Sequence, residues 1–146
     1  MEYNLINLDH LTYAGNINNL NDCRNNKRFK FIKGNVGNRE LVEFLFNEYD
    51  IKGVIHFAAE SHVDNSIKNP GVFVETNVNG TYTLIDVAKN YGMEKPFVHK
   101  VGYENCRFNH ISTDEVYGTL GETGFFNEIL LMLQPLRIRH QKQAAI

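Results

Sequence analysis

The order of strand-like and helix-like segments constrains the fold of this chain more than any other feature. Four segments have the alternating or continuous apolar pattern of a short strand: residues 3–9, 29–33, 53–59 and 106–112. A helix is predicted over about residues 39–49, capped by Asn38, and a long helix over residues 70–91, closed by Gly92. This alternation predicts βαβ units, and therefore a parallel sheet with covering helices. Residues 93–105 are predicted to form a surface loop.

Composition limits what such a fold can do. The 146 residues are 42% hydrophobic and 22% charged, as expected for one globular domain and unlike a disordered chain. Lys and Arg total 15 against 17 Asp and Glu, for a net charge of −2, which excludes a strongly basic nucleic-acid binder. No apolar run reaches the roughly 18 residues of a membrane helix, and the first residues do not have the pattern of an export signal. We therefore expect a cytoplasmic protein with neither a nucleic-acid nor a membrane partner.

The cysteines and histidines do not have the spacing of a metal site. Cys23 and Cys106 form no CxxC pair, and the six histidines occur without an HExxH pattern. We expect reduced thiols and no metal ion.

Three polar clusters follow predicted strands, where open α/β sheets bind their ligands. Asp9 ends the first strand, and an acid in such a place can bind the ribose hydroxyls of a dinucleotide. The second cluster is residues 57–64, whose small alanines let a cofactor approach the backbone. The third is residues 111–118, in which Asp114 and Glu115 can divide acid and base roles if their environments separate their pKa values. By spacing alone, each cluster can also be an ordinary polar loop.

Taken together, the clusters resemble a known family. The order LDHLTYAGN, FAAESHVDNS, NVNGTYTLID and HISTDEVYG is similar to that of the dTDP-glucose 4,6-dehydratases, which are extended short-chain dehydrogenases. The resemblance covers residues 3–128 and about a third of a family member. It implies an α/β fold, a partial Rossmann-type doubly wound parallel sheet that lacks the first strand. Residues 1–128 would be a partial NAD-binding domain, and residues 129–146 an aberrant tail outside the fold.

The resemblance also implies a cofactor, NAD, and a set of site residues. The expected cofactor-binding residues are Asp9, His10, Leu11, Thr12, Asn35, Val36, Phe57, Ala58, Ala59, Glu60, Ser61 and Thr76. Ser61 and Thr113 would contact the nucleotide-sugar substrate. The expected catalytic residues are Thr113, Asp114 and Glu115, and no residue is expected to bind a metal.

In the implied reaction, NAD takes hydride from C4 of the glucose ring, water leaves across C5–C6, and the hydride returns to C6. Asp114 would protonate the departing C6 hydroxyl, Glu115 would remove the C5 proton, and Thr113 would hydrogen-bond the C4 oxygen. The product would be dTDP-4-keto-6-deoxyglucose, a precursor of deoxysugars such as rhamnose.

The resemblance further predicts two absences. Family members start with a strand and a GxxGxxG turn that binds pyrophosphate. We expect this chain to start at the second strand and to contain no such glycine motif. The second absence is the family's Tyr-x-x-x-Lys pair, which follows soon after STDEVYG in family members, whereas the tail of this chain contains no tyrosine. Restoring one nucleotide after Glu128 gives a reading of the tail that contains Tyr-Ser-Ala-Ser-Lys. We therefore expect a frameshift after Glu128, no NAD retained through purification, and an inactive chain.

Two other interpretations remain open at this stage. The chain can derive from another nucleotide-sugar epimerase or dehydratase, or it can be a non-catalytic, truncated subunit that associates with an intact homologue. An intact family member is expected to form a homodimer.

Overall fold

The computed structural model describes residues 3–113 as an α/β arrangement of short strands and helices. The strands are β1 (Leu5–Asp9), β2 (Phe29–Lys33), β3 (Gly53–His56), β4 (Met93–Lys95), β5 (Val98–His99) and β6 (Arg107–His110). The helices are α1 (Arg39–Tyr49), α2 (Val63–Lys68), α3 (Pro70–Phe73) and α4 (Thr81–Gly92). A 3-10 helix spans Ile17–Cys23, and a π-helical segment spans Val74–Gly80.

The predicted parallel pairing is confirmed. β1 pairs with β2 from Leu5 opposite Phe29 to Asp9 opposite Lys33, and β3 pairs with β6 from Gly53 opposite Arg107 to His56 opposite His110. Among the described residues these pairs are two separate sheets, because β1 and β3 make no ladder with each other. This separation agrees with the expectation for a doubly wound sheet without its first strand.

One apolar core joins the two sheets. Its buried residues come from α1, α4 and the segment before α1: Val36, Val42, Phe46, Leu84 and Val87. Leu8 of β1, Val54 of β3 and Phe108 of β6 pack against this cluster. An ion pair of 2.7 Å between Arg39 and Asp86 also links α1 to α4. Both strand pairs are therefore fixed to the same helical layer although they do not hydrogen-bond to each other.

Helix α1 forms where the sequence predicts it. The side chain of Asn38 accepts a hydrogen bond from the backbone N–H of Leu41, which satisfies one of the free donors of the first turn. The helix ends at Asp50, whose left-handed φ of 48° is tolerated by a short polar side chain.

The predicted long helix over residues 70–91 is divided into three parts. α3 and α4 are separated by the π-helical turn, in which the wider spacing of the hydrogen bonds rotates the side chains that follow. The predicted surface loop over residues 93–105 contains the antiparallel hairpin of β4 and β5. Phe97, in the turn of this hairpin, has a φ of 64°. A positive φ is unusual for an aromatic residue, and the sequence does not predict it.

Strand β3 is less buried than its apolar sequence predicts. His56 is buried and Val54 is half-buried against the core, but Ile55 is 63% exposed. Successive residues of a strand point to opposite faces, and Ile55 lies on the face away from α1 and α4. The tail over residues 129–146 lies outside the described residues. In residues 3–113, none of the helices has the length and apolar character needed to span a membrane.

Candidate functional site

The carboxyl ends of β3 and β6 lie side by side. The backbone N–H of Ile111, just after β6, donates to the carbonyl of His56, the last residue of β3, at 3.0 Å. Residues 57–61, here called the β3 exit, therefore start next to Ser112 and Thr113. The cluster after β3 and the first three residues of the cluster after β6, residues 111–113, are brought together in this way.

The cluster that begins at Asp9 forms a tight turn after β1, here called the β1 turn (residues 9–15). Asp9 Oδ1 accepts the backbone N–H of Leu11 at 2.7 Å, and the carbonyl of Thr12 accepts the N–H of Gly15 at 2.9 Å. Leu11 has a φ of 50°, and a Cβ on Gly15 would lie 2.6 Å from the Leu11 Cα. Glycine is thus required where the turn folds back on itself. The turn leaves the carboxylate of Asp9 at the exposed end of β1.

One hydrogen bond joins the β1 turn to the β3 exit. The hydroxyl of Tyr13 donates to Glu60 Oε2 at 3.0 Å, across 47 residues of sequence. The ring of Tyr13 also lies 5.5 Å from the ring of His62, centroid to centroid. Because this contact joins the ends of β1 and β3, the β1 turn, the β3 exit and residues 111–113 lie at the same edge of the fold.

Glu60 is in turn fixed by the π-helical segment. The N–H of Glu60 donates to Asn77 Oδ1 at 2.8 Å, and Asn77 Nδ2 donates to the carbonyl of Glu60 at 2.9 Å. Asn77 is 2% exposed, so its side-chain amide is shielded from water. Both the oxygen and the nitrogen of that amide are hydrogen-bonded to the backbone of Glu60. This two-point contact sets the backbone position of the β3 exit.

A second buried contact links the same elements one turn further along. The hydroxyl of Thr81 donates to the carbonyl of Asn77 at 2.8 Å, and His56 Nε2 lies 2.9 Å from the Thr81 oxygen. Because the single hydroxyl proton is directed to Asn77, Nε2 is the donor in the contact with Thr81. The end of β3 and the π-helical segment are thus joined through side chains that are almost fully buried.

The other predicted cofactor residues have different surroundings. Ala58 and Ala59 are half-buried, and Phe57 and Ser61 are exposed along the β3 exit. Val36 is part of the apolar core, and Asn35 Oδ1 accepts the N–H of Gly37 at 2.8 Å. His10 and Thr12 are exposed in the β1 turn, and Thr76 is half-buried in the π-helical segment. The β1 turn and the β3 exit are therefore brought together, whereas the side chain of Val36 packs into the interior.

Asp114 and Glu115 lie outside the described residues, and Thr113 is the last residue within them. The expectation that the GxxGxxG spacing is absent from the chain is wrong. Gly118, Gly121 and Gly124 have that spacing, but they follow β6 in the sequence instead of preceding β1. They also lie outside the described residues.

Tyr13 and Asn77 are site residues that sequence reasoning missed. The burial of Asn77 could have been predicted from the sequence. Phe73, Asn77 and Thr81 are spaced four residues apart, as on one face of a helix. A polar residue within such a face indicates a buried hydrogen-bonded side chain. Tyr13 lies one residue beyond the predicted ribose-binding run, and no periodicity marks it.

A separate cluster of polar side chains lies near the amino-terminal ends of β3 and β6 and consists of Asp50, Lys52, Tyr91 and Tyr103. Hydrogen bonds from Tyr103 and from Lys52 hold the pKa of Asp50 below its ordinary value. Tyr91 also donates to Asp50 Oδ1, at 3.3 Å, and its own pKa is raised, mainly by its hydrogen bond with Tyr103. A cavity of about 240 Å³ beside this group is lined by the starts of β3 and β6, away from the polar clusters. In residues 3–113, no group of three His, Cys, Asp or Glu residues is placed to bind a metal.

Comparison with known sequences gives a consistent group of relatives. Residues 1–135 match the family model described as GDP-mannose 4,6 dehydratase. A dTDP-glucose 4,6-dehydratase from Xanthomonas campestris pv. campestris (strain B100) is 48% identical over 124 residues, which is 85% of this chain and 34% of the relative. The chain spans about a third of the length of the curated relatives it matches.

Solved structures show the same likeness. The dTDP-glucose 4,6-dehydratase from Bacillus anthracis str. Ames, in complex with NAD, is similar with a TM-score of 0.78 and 36% identity, covering 98% of this chain and 39% of that chain. The UDP-glucose 4-epimerase from Thermus thermophilus, also in complex with NAD, has a TM-score of 0.76 and 25% identity, covering 96% of this chain and 40% of that chain. The likeness confirms the predicted Rossmann-type α/β fold.

Proposed function

The chain belongs to the GDP-mannose 4,6 dehydratase family, and from this premise we propose that it carries the cofactor-binding and elimination residues of an NAD-dependent dTDP-glucose 4,6-dehydratase. The observation that carries the proposal is the meeting of the β1 turn, the β3 exit and residues 111–113 at one edge of the fold, through the Tyr13–Glu60 and Ile111–His56 hydrogen bonds. Curated dehydratases of this name at 42–48% identity support the choice of substrate.

The described residues fit a dinucleotide. The carboxylate of Asp9 is exposed at the end of β1 and can accept hydrogen bonds from two ribose hydroxyls. The small side chains of Ala58 and Ala59 leave the backbone of the β3 exit open to close approach. We assign the adenosine end of NAD to the β1 turn and the nicotinamide end to the β3 exit, with Thr76 as a further contact.

Bound NAD would supply the acceptance and return of a hydride. Thr113 would hydrogen-bond the C4 oxygen of the sugar, and Ser61 would contact the sugar from the β3 exit. Glu115 would remove the proton at C5, which a ketone at C4 acidifies, and Asp114 would protonate the leaving hydroxyl at C6. The nearby ends of β3 and β6 support a shared contact of Ser61 and Thr113 with the sugar, because these two residues lie on neighbouring segments.

We further propose that residues 1–128 form part of a nucleotide-binding domain and that residues 129–146 do not contribute to its fold. The core over α1, β3, α4 and β6 supports the first part. The second part depends on the sequence of the tail, which contains no acidic residue and in which Pro135 interrupts any helix.

The proposal can be tested in a chimera. Residues 1–128 would replace the matched segment of the Xanthomonas campestris dehydratase, and the product from dTDP-glucose would be identified by NMR. The proposal predicts a 4-keto-6-deoxy sugar. A sugar inverted at C4 would instead favour an epimerase, and a folded, NAD-binding chimera that leaves dTDP-glucose unchanged would contradict the proposal.

The catalytic assignment needs a matched control in the same chimera. Glu115→Gln should abolish most of the turnover, because the amide cannot accept the C5 proton. Glu94→Gln, on the exposed strand β4, makes the same chemical change away from the site and should leave turnover unchanged.

A further inference from the structure

The hydrogen bond between Tyr13 and Glu60 has no part in the chemistry proposed above. Tyr13 belongs to neither the predicted cofactor contacts nor the elimination residues. Yet its hydroxyl makes the one side-chain hydrogen bond between the β1 turn and the β3 exit among the described residues.

Both ends of this bond are anchored. The β1 turn is fixed internally by the bond from the Leu11 N–H to Asp9 and by the close approach of Gly15 to Leu11. Glu60 is 8% exposed and is fixed through its backbone by Asn77. A bond between two internally fixed segments sets the distance between them, whereas a bond between two mobile segments would only join their ends.

The distance between the β1 turn and the β3 exit is not set by strand pairing, because the two segments follow strands of different sheets. β1 and β3 make no ladder with each other among the described residues, so strand pairing does not set their separation. The shared core contacts Leu8, the next-to-last residue of β1, and Val54 and Ala58 in and after β3. Beyond the strand ends, Tyr13 makes the connection, through its hydrogen bond to Glu60 and the contact of its ring with His62.

We propose that Tyr13 is a positioning residue for the dinucleotide, which acts through Glu60 to keep the adenosine-binding and nicotinamide-binding segments at the separation that one bound NAD requires. The inference rests on the proposed function, since it takes these two segments as the two halves of an NAD site. Tyr13 does not contact the cofactor in this account. Its effect is to let two weak half-sites act on one ligand, which then binds more tightly than either half alone.

The test compares a whole ligand with its halves. The 146-residue chain would be titrated separately with NAD⁺, AMP and nicotinamide mononucleotide, and amide shifts of the β1 turn and the β3 exit would be followed by NMR at millimolar ligand. In Tyr13→Phe the NAD⁺ dissociation constant should rise about fivefold, the equivalent of one hydrogen bond. The constants for AMP and nicotinamide mononucleotide should each change by less than about twofold. A merely structural role would weaken the half-ligands as well.

Tyr82→Phe is the matched control, because Tyr82 is 63% exposed on α4, away from both segments. It should leave all three constants unchanged. Amide shifts outside residues 9–15 and 57–62 that match those of the parent chain will show that Tyr13→Phe folds normally.

The results of these titrations distinguish the positioning role of Tyr13 from the proposed function of the chain. If the halves bind but Tyr13→Phe binds NAD⁺ as tightly as the parent chain does, the positioning role is wrong and the proposed function stands. The positioning role is also wrong if the parent chain binds NAD⁺ no more tightly than the better half. If none of the three nucleotides shifts either segment, the positioning role is wrong, whereas the product formed by the chimera decides the proposed function.

Discussion

The hydroxyl of Tyr13 lies 3.0 Å from Glu60 Oε2, although the two residues follow strands of separate sheets. Three polar segments that are distant in sequence thereby lie at one edge of the fold. The arrangement depends on a few buried polar side chains beneath that edge, and these can be changed one at a time.

Asn77→Asp should destabilise the chain by about 2 kcal/mol. The new carboxylate can still accept the N–H of Glu60, but it cannot donate to the Glu60 carbonyl, which is left unsatisfied in a buried place. Urea unfolding followed by circular dichroism measures the change. Asn79→Asp, at an exposed position of the same π-helical segment, is the control and should change stability by less than about 0.5 kcal/mol. Equal effects of the two substitutions would show that Asn77 does not hold the β3 exit.

Gly80→Ala should destabilise the chain by about 1 kcal/mol, because the added Cβ would lie 2.9 Å from Val36 Cγ2 and overpacking outweighs the gain in helix propensity. In a Val36→Ala background the clash is absent, so the same substitution should become stabilising. Gly71→Ala, whose Cβ would meet only Asn69 Oδ1 at 3.8 Å, should be neutral or stabilising throughout. Thermal unfolding of the four Val36/Gly80 combinations measures the coupling. Simple additivity would contradict the packing argument.

Much of the fold follows from the sequence because local signals and tertiary contacts agree. The apolar patterns of β1, β2, β3 and β6 and the cap at Asn38 identify these elements. The missed elements depend on non-local contacts or on rare backbone geometry. α2 is six residues long and its N-cap, His62, makes no side-chain hydrogen bond, while the hairpin turns at Phe97 with a positive φ. The π-helical turn was missed because the prediction assumed the 3.6-residue period of an α-helix over the whole of residues 70–91.

The candidate site was predicted only in part, for a related reason. The resemblance predicts Asp9 and residues of the β3 exit as contacts of the cofactor. It does not identify Tyr13 and Asn77, whose roles arise from contacts with Glu60. Such contacts depend on how two loops meet in space, which neither composition nor spacing records.

The hydrogen bonds that Asp50 accepts from Tyr103 and Lys52 should weaken in acid. Hydrogen bonds from Tyr103 and from Lys52 hold the pKa of Asp50 below its ordinary 3.8. A carboxylate with a lowered folded pKa contributes stability that is complete above the unfolded value and is lost as pH falls through the folded value. The difference in unfolding free energy between the parent chain and Asp50→Asn should therefore be largest near neutral pH and shrink below about pH 4.

Asn is a suitable replacement for Asp50 because it also tolerates the left-handed backbone at this position. Asp22→Asn, at an exposed position in the 3-10 helix, is the matched control and should show no such pH dependence. A difference for Asp50→Asn that stays constant from about pH 7 to about pH 3 would contradict the role given to the carboxylate.

In the dehydratase chimera, Asp114→Asn should slow elimination more than oxidation at C4. The substitution would remove the proposed acid for the C6 hydroxyl and leave the hydride path intact. Rapid-quench analysis should therefore detect a 4-keto sugar that retains its C6 hydroxyl. Equal slowing of both steps would mean that Asp114 has another role.

If this chain carries the residues of a 4,6-dehydration, the hydrogen at C4 of the glucose ring must be found at C6 of the product. The chimera would be given dTDP-glucose deuterated at C4, and the product would be examined by NMR and mass spectrometry. We predict deuterium in the C6 methyl group and a solvent-derived hydrogen at C5. Deuterium retained at C4, with inversion at that carbon, would contradict the account and identify an epimerase.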